Sequence, residues 1–337
     1  MINTLFLSGS FAALLGIASA QTYDATVCGK ERVGEFNDTI MYYPNAWNPK
    51  SPENGHVCMS VDESGPSFDV VWNWPENIED VHSYPYVRLN HDNLPTKLST
   101  IREMKLKTDW TMTLGNPSSP PRDFSTSTWD DNKEELLEAG VICNAAWDFF
   151  FDGDRMNTYN PVNSSYEVMI WLGKIGSGAQ PLEGDSILTN MTVGDHEFSL
   201  WYNTNSGGRH VFTWVTRDGQ DVNEFDGDVA PLLEYILSNP SDIEDFPSDP
   251  WLGLVEFGSE TWFSTENVTF SAANFGMELD ADGYDGARDD DDSGSSNNNN
   301  NNGGSSNDND SAGAAISLST LTLVTPAVMA LAVAFGF

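Results

Sequence analysis

Tyr166-Glu167-Val168-Met169-Ile170-Trp171-Leu172 decides the fold. The run holds no glycine or proline and is rich in β-branched and aromatic residues, which suits a buried strand. Side chains alternate along a strand. Val168, Ile170 and Leu172 therefore make one wholly apolar side, and Glu167, Met169 and Trp171 share the other. That second side puts a carboxylate beside a thioether and an indole. Acids are seldom buried without a partner, so Glu167 is a candidate functional residue.

Outward from this run the same alternation recurs. It appears in Phe68–Trp74, Trp110–Leu114, Glu197–Tyr202 and His210–Val215, separated by turn residues such as Asn116-Pro117, Gly207-Gly208 and Asp218-Gly219. Regularly spaced short strands with such turns predict an all-β fold, a jelly-roll sandwich of two antiparallel sheets. One segment breaks the rhythm. Val229, Leu232, Leu233 and Ile236 fall at helical spacing, Asp228 can cap the start, and Asn239-Pro240 stops the run. One amphipathic helix packed on a sheet is expected there, and Glu134–Glu138 suggests a further helical turn.

The 337 residues carry 15 Lys+Arg against 51 Asp+Glu, a net charge of -36. Phosphate binding needs cationic groups, so nucleic acid is not an expected partner. The plain account of so much acid is a solvated, soluble, self-repelling surface. Residues 1–20 have the form of a secretory signal peptide: apolar from Leu5 to Ile17, with Ala18-Ser19-Ala20 as a small-x-small cleavage site. An oxidising route permits disulfides. Of the three cysteines, Cys28 and Cys58 are the expected bridge near the N-terminus, and Cys143 in an apolar run is the expected buried thiol. Sequons at Asn37, Asn163, Asn190, Asn267 and Asn309 fit the same route.

The folded domain is expected over 21–279. From 280 to 310 the chain turns to Asp, Asn, Ser and Gly, including four consecutive acids at Asp289–Asp292 and six asparagines at Asn297–Asn302. Such a stretch cannot bury enough apolar area to fold and reads as a linker. Residues 311–337 follow the pattern of a glycosylphosphatidylinositol signal: small residues at Ser311–Ala315, a spacer, and an apolar tail from Leu321 to Phe337 that would be removed. Ser311 is the expected attachment site, with Asn309, Asp310 and Gly313 in competition. The chain would then be secreted and held at the cell surface, in the plasma membrane or the wall, through lipid alone.

Acids on apolar strands suit glycoside hydrolysis, which needs two carboxyl groups flanking the scissile bond, one ionised and one protonated. Glu167 is the first candidate. Leu254–Phe263 offers two partners, Glu256 and Glu260, which differ by four and so point the same way in a regular strand. Gly258 between them allows a ligand or another backbone to approach closely. Spacing leaves the choice open.

These residues also carry a resemblance. Tyr166–Gly173 resembles the nucleophile strand of glycoside hydrolase family 12, the small jelly-roll endoglucanases and xyloglucanases. Phe257-Gly258-Ser259-Glu260 resembles that family's acid/base motif and selects Glu260 over Glu256. Asn45-Ala46-Trp47, Val81-His82-Ser83-Tyr84-Pro85, Asn144-Ala145-Ala146-Trp147-Asp148-Phe149-Phe150 and Gly227-Asp228 resemble further family motifs in family order, over nearly all of 26–277. The chain departs from the pattern where Thr261 replaces proline after the acid/base, Asn48 follows Trp47, and Trp147 replaces tyrosine.

The resemblance implies an endo-acting, retaining hydrolase of β-1,4-glucan or xyloglucan. Its two carboxyl groups would lie about 5–5.5 Å apart, with Glu167 as nucleophile, Glu260 as acid/base and Asp148 supporting the nucleophile. Substrate rings would meet Asn45, Trp47, Met169 and Trp171, with Trp72 and Trp74 as further stacking candidates for which core packing is the plainer account. His82 is expected to be a satisfied structural histidine. No metal or cofactor is implied, and a monomer is expected. A non-catalytic carbohydrate-binding or wall protein on the same fold is the alternative, although it has no need of acids at both positions.

Overall fold

The run from Tyr166 does form a strand, Tyr166–Ile175, buried along nearly its whole length. Val168, Ile170 and Leu172 lie in the main core, while Met169 and Trp171 belong to a separate small cluster on the other face. The alternation read from the sequence therefore holds. A computed structural model describes residues 25–281 apart from 35–37, 48–53, 63–65, 185, 218–219 and 240–245. The expected leader, Asn37, most of the linker, Ser311 and the apolar tail lie outside the described residues.

Two sheets stack face to face. The first has the order β1 (Ala25–Cys28), β3 (His56–Asp62), β4 (Ser67–Trp74), β15 (Thr261–Ala281), β7 (Ile101–Leu114), β13 (Glu224–Asp228). The second runs β2 (Ile40–Tyr43), β5 (Tyr86–Leu89), β14 (Trp251–Gly258), β8 (Ile142–Asp152), β9 (Tyr166–Ile175), β12 (His210–Thr216), β11 (His196–Thr204), β10 (Thr189–Val193). The short β6 (Thr96–Lys97) pairs with the start of β14. β15 belongs to both sheets: Thr261 and Phe263 pair with β8, and the strand then breaks register and crosses to β4 and β7.

The expected jelly roll of stacked sheets is present, with one departure from purely antiparallel pairing. β12 lies parallel to β9, where the consecutive antiparallel pairs of β10, β11 and β12 return the chain beside β9. The last strand runs on to Ala281, just past the boundary expected at 279. Asp280 pairs with Glu103 and is held by Arg102 at 2.6 Å.

The two helices close the sandwich. In α2 (Ala230–Ser238), Leu232, Leu233 and Ile236 enter the main core, and Val229 just before it does too. They pack towards Phe151, Val168 and Phe212, on the core side of the second sheet. Asp228 caps from just outside the helix by accepting from the Ala230 and Met104 amides. The turn expected at 134–138 is the end of a fuller helix, α1 (Trp129–Glu138), which the indole of Trp129 anchors against Trp110 and Asp221. The Cys28–Cys58 disulfide joins β1 to β3 at facing positions, and Cys143 is a buried free thiol.

Candidate active site

The second sheet turns its non-core face outward, and strand register sets the side chains there in rows. Arg88, Glu256, Asp148, Met169, Thr213 and Trp201 are lateral partners on β5, β14, β8, β9, β12 and β11. The next row in one direction holds Phe150, Glu167 and Val211. In the other direction lie Gly258, Ala146, Trp171 and Val215. Cross-strand partners point the same way, so Glu167, Asp148 and Glu256 share one surface. Glu260 joins them from the connection between β14 and β15.

Asn144 places Glu260. Its side-chain amide donates to Glu260 Oε2 at 2.6 Å, and its Oδ1 accepts from the Glu260 backbone amide at 2.8 Å. Burial raises the Glu260 carboxyl and the charge of Glu167 raises it further, against the opposing Asn144 bond, to a pKa of about 8. Glu260 therefore carries a proton at neutral and acidic pH. Glu167 is in the opposite situation, with Arg209 Nη1 donating to its Oε2 at 2.8 Å. Asp148 is buried, and its carboxyl is pushed well above the ordinary carboxylate range, first by burial and then by the charge of Glu167. Its Oδ1 has no hydrogen-bond partner among the described residues. Burial and the nearby Glu167 thus favour the neutral form of Asp148.

Glu256 is accounted for differently. It lies in a buried ion pair, with Arg88 Nη2 at 2.6 Å and Nε at 2.8 Å, and Arg88 also donates to Tyr86. Both partners are almost wholly covered. A desolvated, paired carboxylate of this kind anchors the sheet beneath the site and is not available to a substrate. Gly258 admits a backbone: a Cβ there would stand 2.2 Å from the Pro85 carbonyl oxygen.

The aromatic candidates divide. Trp47 is 46% exposed and Asn45 half-buried beside it, with left-handed backbone at φ 48°. Trp47 donates its amide to His82, and its neighbour Ala46 bridges to Ser83, which in turn bridges to Thr261, next to Glu260. Met169 and Trp171 lie on the correct face but are nearly covered, packed with Trp262, so they shape the floor without presenting open rings. Trp72 and Trp74 do not reach a ligand. Trp72 is fully buried in the main core, because β4 turns it between the sheets. Trp74 is also covered, stacked on His82 and bonded through Nε1 to Ser83 and Thr261. His82 is satisfied by the Glu76 and Asn77 carbonyls.

Sequence reading missed Arg209, which sits in a glycine turn with no motif, and Trp201, a half-buried ring on the open face. Asn144 opens a sequence motif, but its hold on Glu260 is visible only in the structure. Of the sequons, Asn163 and Asn190 are exposed, and Asn267 is half-buried with its amide bonded to Asn116.

The model of the family "Glycosyl hydrolase family 12" matches residues 126–280, the stretch that carries Asp148, Glu167 and Glu260. The xyloglucan-specific endo-beta-1,4-glucanase A of Emericella nidulans is 25% identical over 274 residues, spanning 79% of this chain and 97% of that protein. Endoglucanase A of Aspergillus kawachii is 28% identical over 226 residues, 66% of this chain and 80% of its own. The crystal structure of Trichoderma harzianum endoglucanase 3, from family GH12, superposes with a TM-score of 0.57 at 19% identity, covering 76% of this chain and 97% of that one. With the family's model over the acidic strands, relatives aligned along most of its length, and the same jelly roll, the chain is similar in sequence and fold to glycosyl hydrolase family 12.

Proposed function

We propose that the protein is a retaining endo-β-1,4-glucan hydrolase with Glu167 as nucleophile and Glu260 as acid/base. One observation carries this reading. Two carboxyl groups on one open face stand in opposite environments, Glu260 held protonated by burial and by Glu167, and Glu167 paired with a guanidinium. Divergent environments for two neighbouring acids are what acid/base assignment requires.

In the first step a Glu167 oxygen attacks the anomeric carbon as the glycosidic C–O bond breaks, and Glu260 gives its proton to the leaving oxygen. In the second, Glu260 takes a proton from water, the water oxygen bonds to the anomeric carbon, and the ester to Glu167 breaks. Asp148, kept neutral by burial, adds no second negative charge beside the nucleophile. The exposed Trp47 and the half-buried Trp201 offer ring surface to pyranose faces, and Asn45 offers an amide to their hydroxyls.

Xyloglucan is the first substrate to test, because several relatives are named for it. The experiment is reducing-sugar release from xyloglucan, mixed-linkage glucan and carboxymethyl-cellulose by the wild type, Glu167→Gln and Glu260→Gln. Activity in the wild type and a loss of at least about 10³-fold in each variant is expected. A wild type inactive on all three would sink the enzyme in favour of a binding protein.

The chain is further read as secreted after cleavage behind Ala20. The acidic Asn/Ser/Gly segment tethers the domain to a lipid anchor at Ser311, with the exposed Asn163 and Asn190 as glycosylation sites beside the further sequons at Asn37 and Asn267. Composition supports this reading.

A further inference from the structure

Glu167 does not stand free on the cleft floor. Arg209 reaches it from the turn between β11 and β12, donating from Nη1 to Oε2 at 2.8 Å. The guanidinium is itself fixed on its other edges. Nε donates to the Ser164 carbonyl at 3.0 Å, Nη2 donates to the Pro161 carbonyl, and the group lies 5.3 Å over the Phe150 ring. The turn that delivers it is closed by Asn205, whose Oδ1 accepts from the Gly207 and Arg209 amides at 3.0 Å each, with Gly208 at φ +85°. Phe150 is the lateral partner of Glu167, so Arg209 lies in the Glu167 row, on the side away from Glu260.

We propose that Arg209 is a positioning residue for the nucleophile. It holds Oε2 and so turns Oε1 towards the anomeric carbon. The inference rests on the reading of Glu167 as nucleophile. A glutamate has three rotatable bonds, and attack needs one oxygen aligned with the reacting carbon. A displacement of about 1 Å can cost 10²-fold in rate. Arginine suits the task because its rigid planar fork can bind two carbonyls and a carboxylate at once. The other charged groups around Glu167 are Asp148 on β8, Glu256 with its partner Arg88 on β14 and β5, and Glu260. Arg88 is committed to Glu256, which leaves Arg209 as the cation that holds the nucleophile.

The test compares Arg209→Met and Arg209→Lys with wild type in the full chain, on an aryl β-cello-oligosaccharide, with kcat, KM and Tm measured for each. Arg209→Met is expected to lose about 10²-fold in kcat with KM within threefold, and low-millimolar guanidinium is expected to restore part of the loss. Arg209→Lys is expected to fall between the two. Wild-type kcat in Arg209→Met would overturn the inference, as would a loss in both variants that follows Tm and ignores guanidinium. If Arg209→Met does not fold, Arg209→Lys with unchanged kcat overturns it and a kcat-only loss supports it. A wild type that releases no aglycone would sink the glycosidase reading instead, which keeps the two failures distinct.

Discussion

At Glu260 two local causes, burial and the charge of Glu167, hold a proton on the carboxyl up to a pKa of about 8. The general acid must be protonated when it donates, so kcat/KM should fall as pH rises through about 8. The same shift bears on stability. Unfolded, Glu260 ionises near its ordinary value of 4.5, while the folded chain keeps the proton to about 8. Across that window the unfolded state binds fewer protons, so stability falls as pH rises. Glu260→Gln removes this penalty and should raise Tm by a few degrees at pH 8, with no gain at pH 4. Equal gains at both pH values would contradict the account. Asn144 works against the two causes. Asn144→Ala should move the basic limb of the pH profile upward while lowering kcat about tenfold, because the carboxyl loses its fixed orientation. Beneath them, Arg88→Met would leave the buried Glu256 carboxyl without its guanidinium partner. The expected loss is about 3–5 kcal/mol in denaturant unfolding.

At the scale of the element, β9 was legible because alternation is a local property. Seven residues suffice to say which side chains share a face. The same reasoning left Trp72 and Trp74 open between ring stacking and core packing, and both lie in the core. Alternation puts them on one side of β4 but says nothing of which sheet the strand joins. The partner groups were illegible for a related reason. Arg88 and Glu256 lie 168 residues apart, and Arg209 and Glu167 lie 42 apart. Only the register of β5 on β14, and of β12 on β9, brings them together. Gly258 is an intermediate case. The sequence said that something approaches closely there, and the structure supplies the Pro85 carbonyl. Gly258→Ala should push β14 off β5, with a loss of about 1–3 kcal/mol and a lower kcat, since Glu260 follows two residues later. Unfolding midpoints and kcat on the same preparation check both.

Over the whole molecule, two stacked sheets and one crossing strand, β15, produce the site. β15 begins beside β8 next to Glu260 and ends against β7, so the proposed acid/base residue sits where the sheets join. The order of the family motifs was readable along the chain, and so was the reaction class they imply. Their assembly on one face followed from a topology with a parallel pair that no local pattern announces. Beyond the domain, the acidic tether and terminal apolar tail make one further prediction: phosphatidylinositol-specific phospholipase should release the protein from cell membranes. Retention after treatment would favour a membrane-spanning tail. The central claim, that Glu167 forms a covalent bond to sugar, has a direct measurement. The protein is incubated with a 2-deoxy-2-fluoro cello-oligosaccharide bearing a good leaving group, digested, and mapped by mass spectrometry. The account predicts one glycosyl adduct, on Glu167, absent from Glu167→Gln. An active enzyme that gave no adduct, or carried it on Asp148 or Glu256, would contradict it.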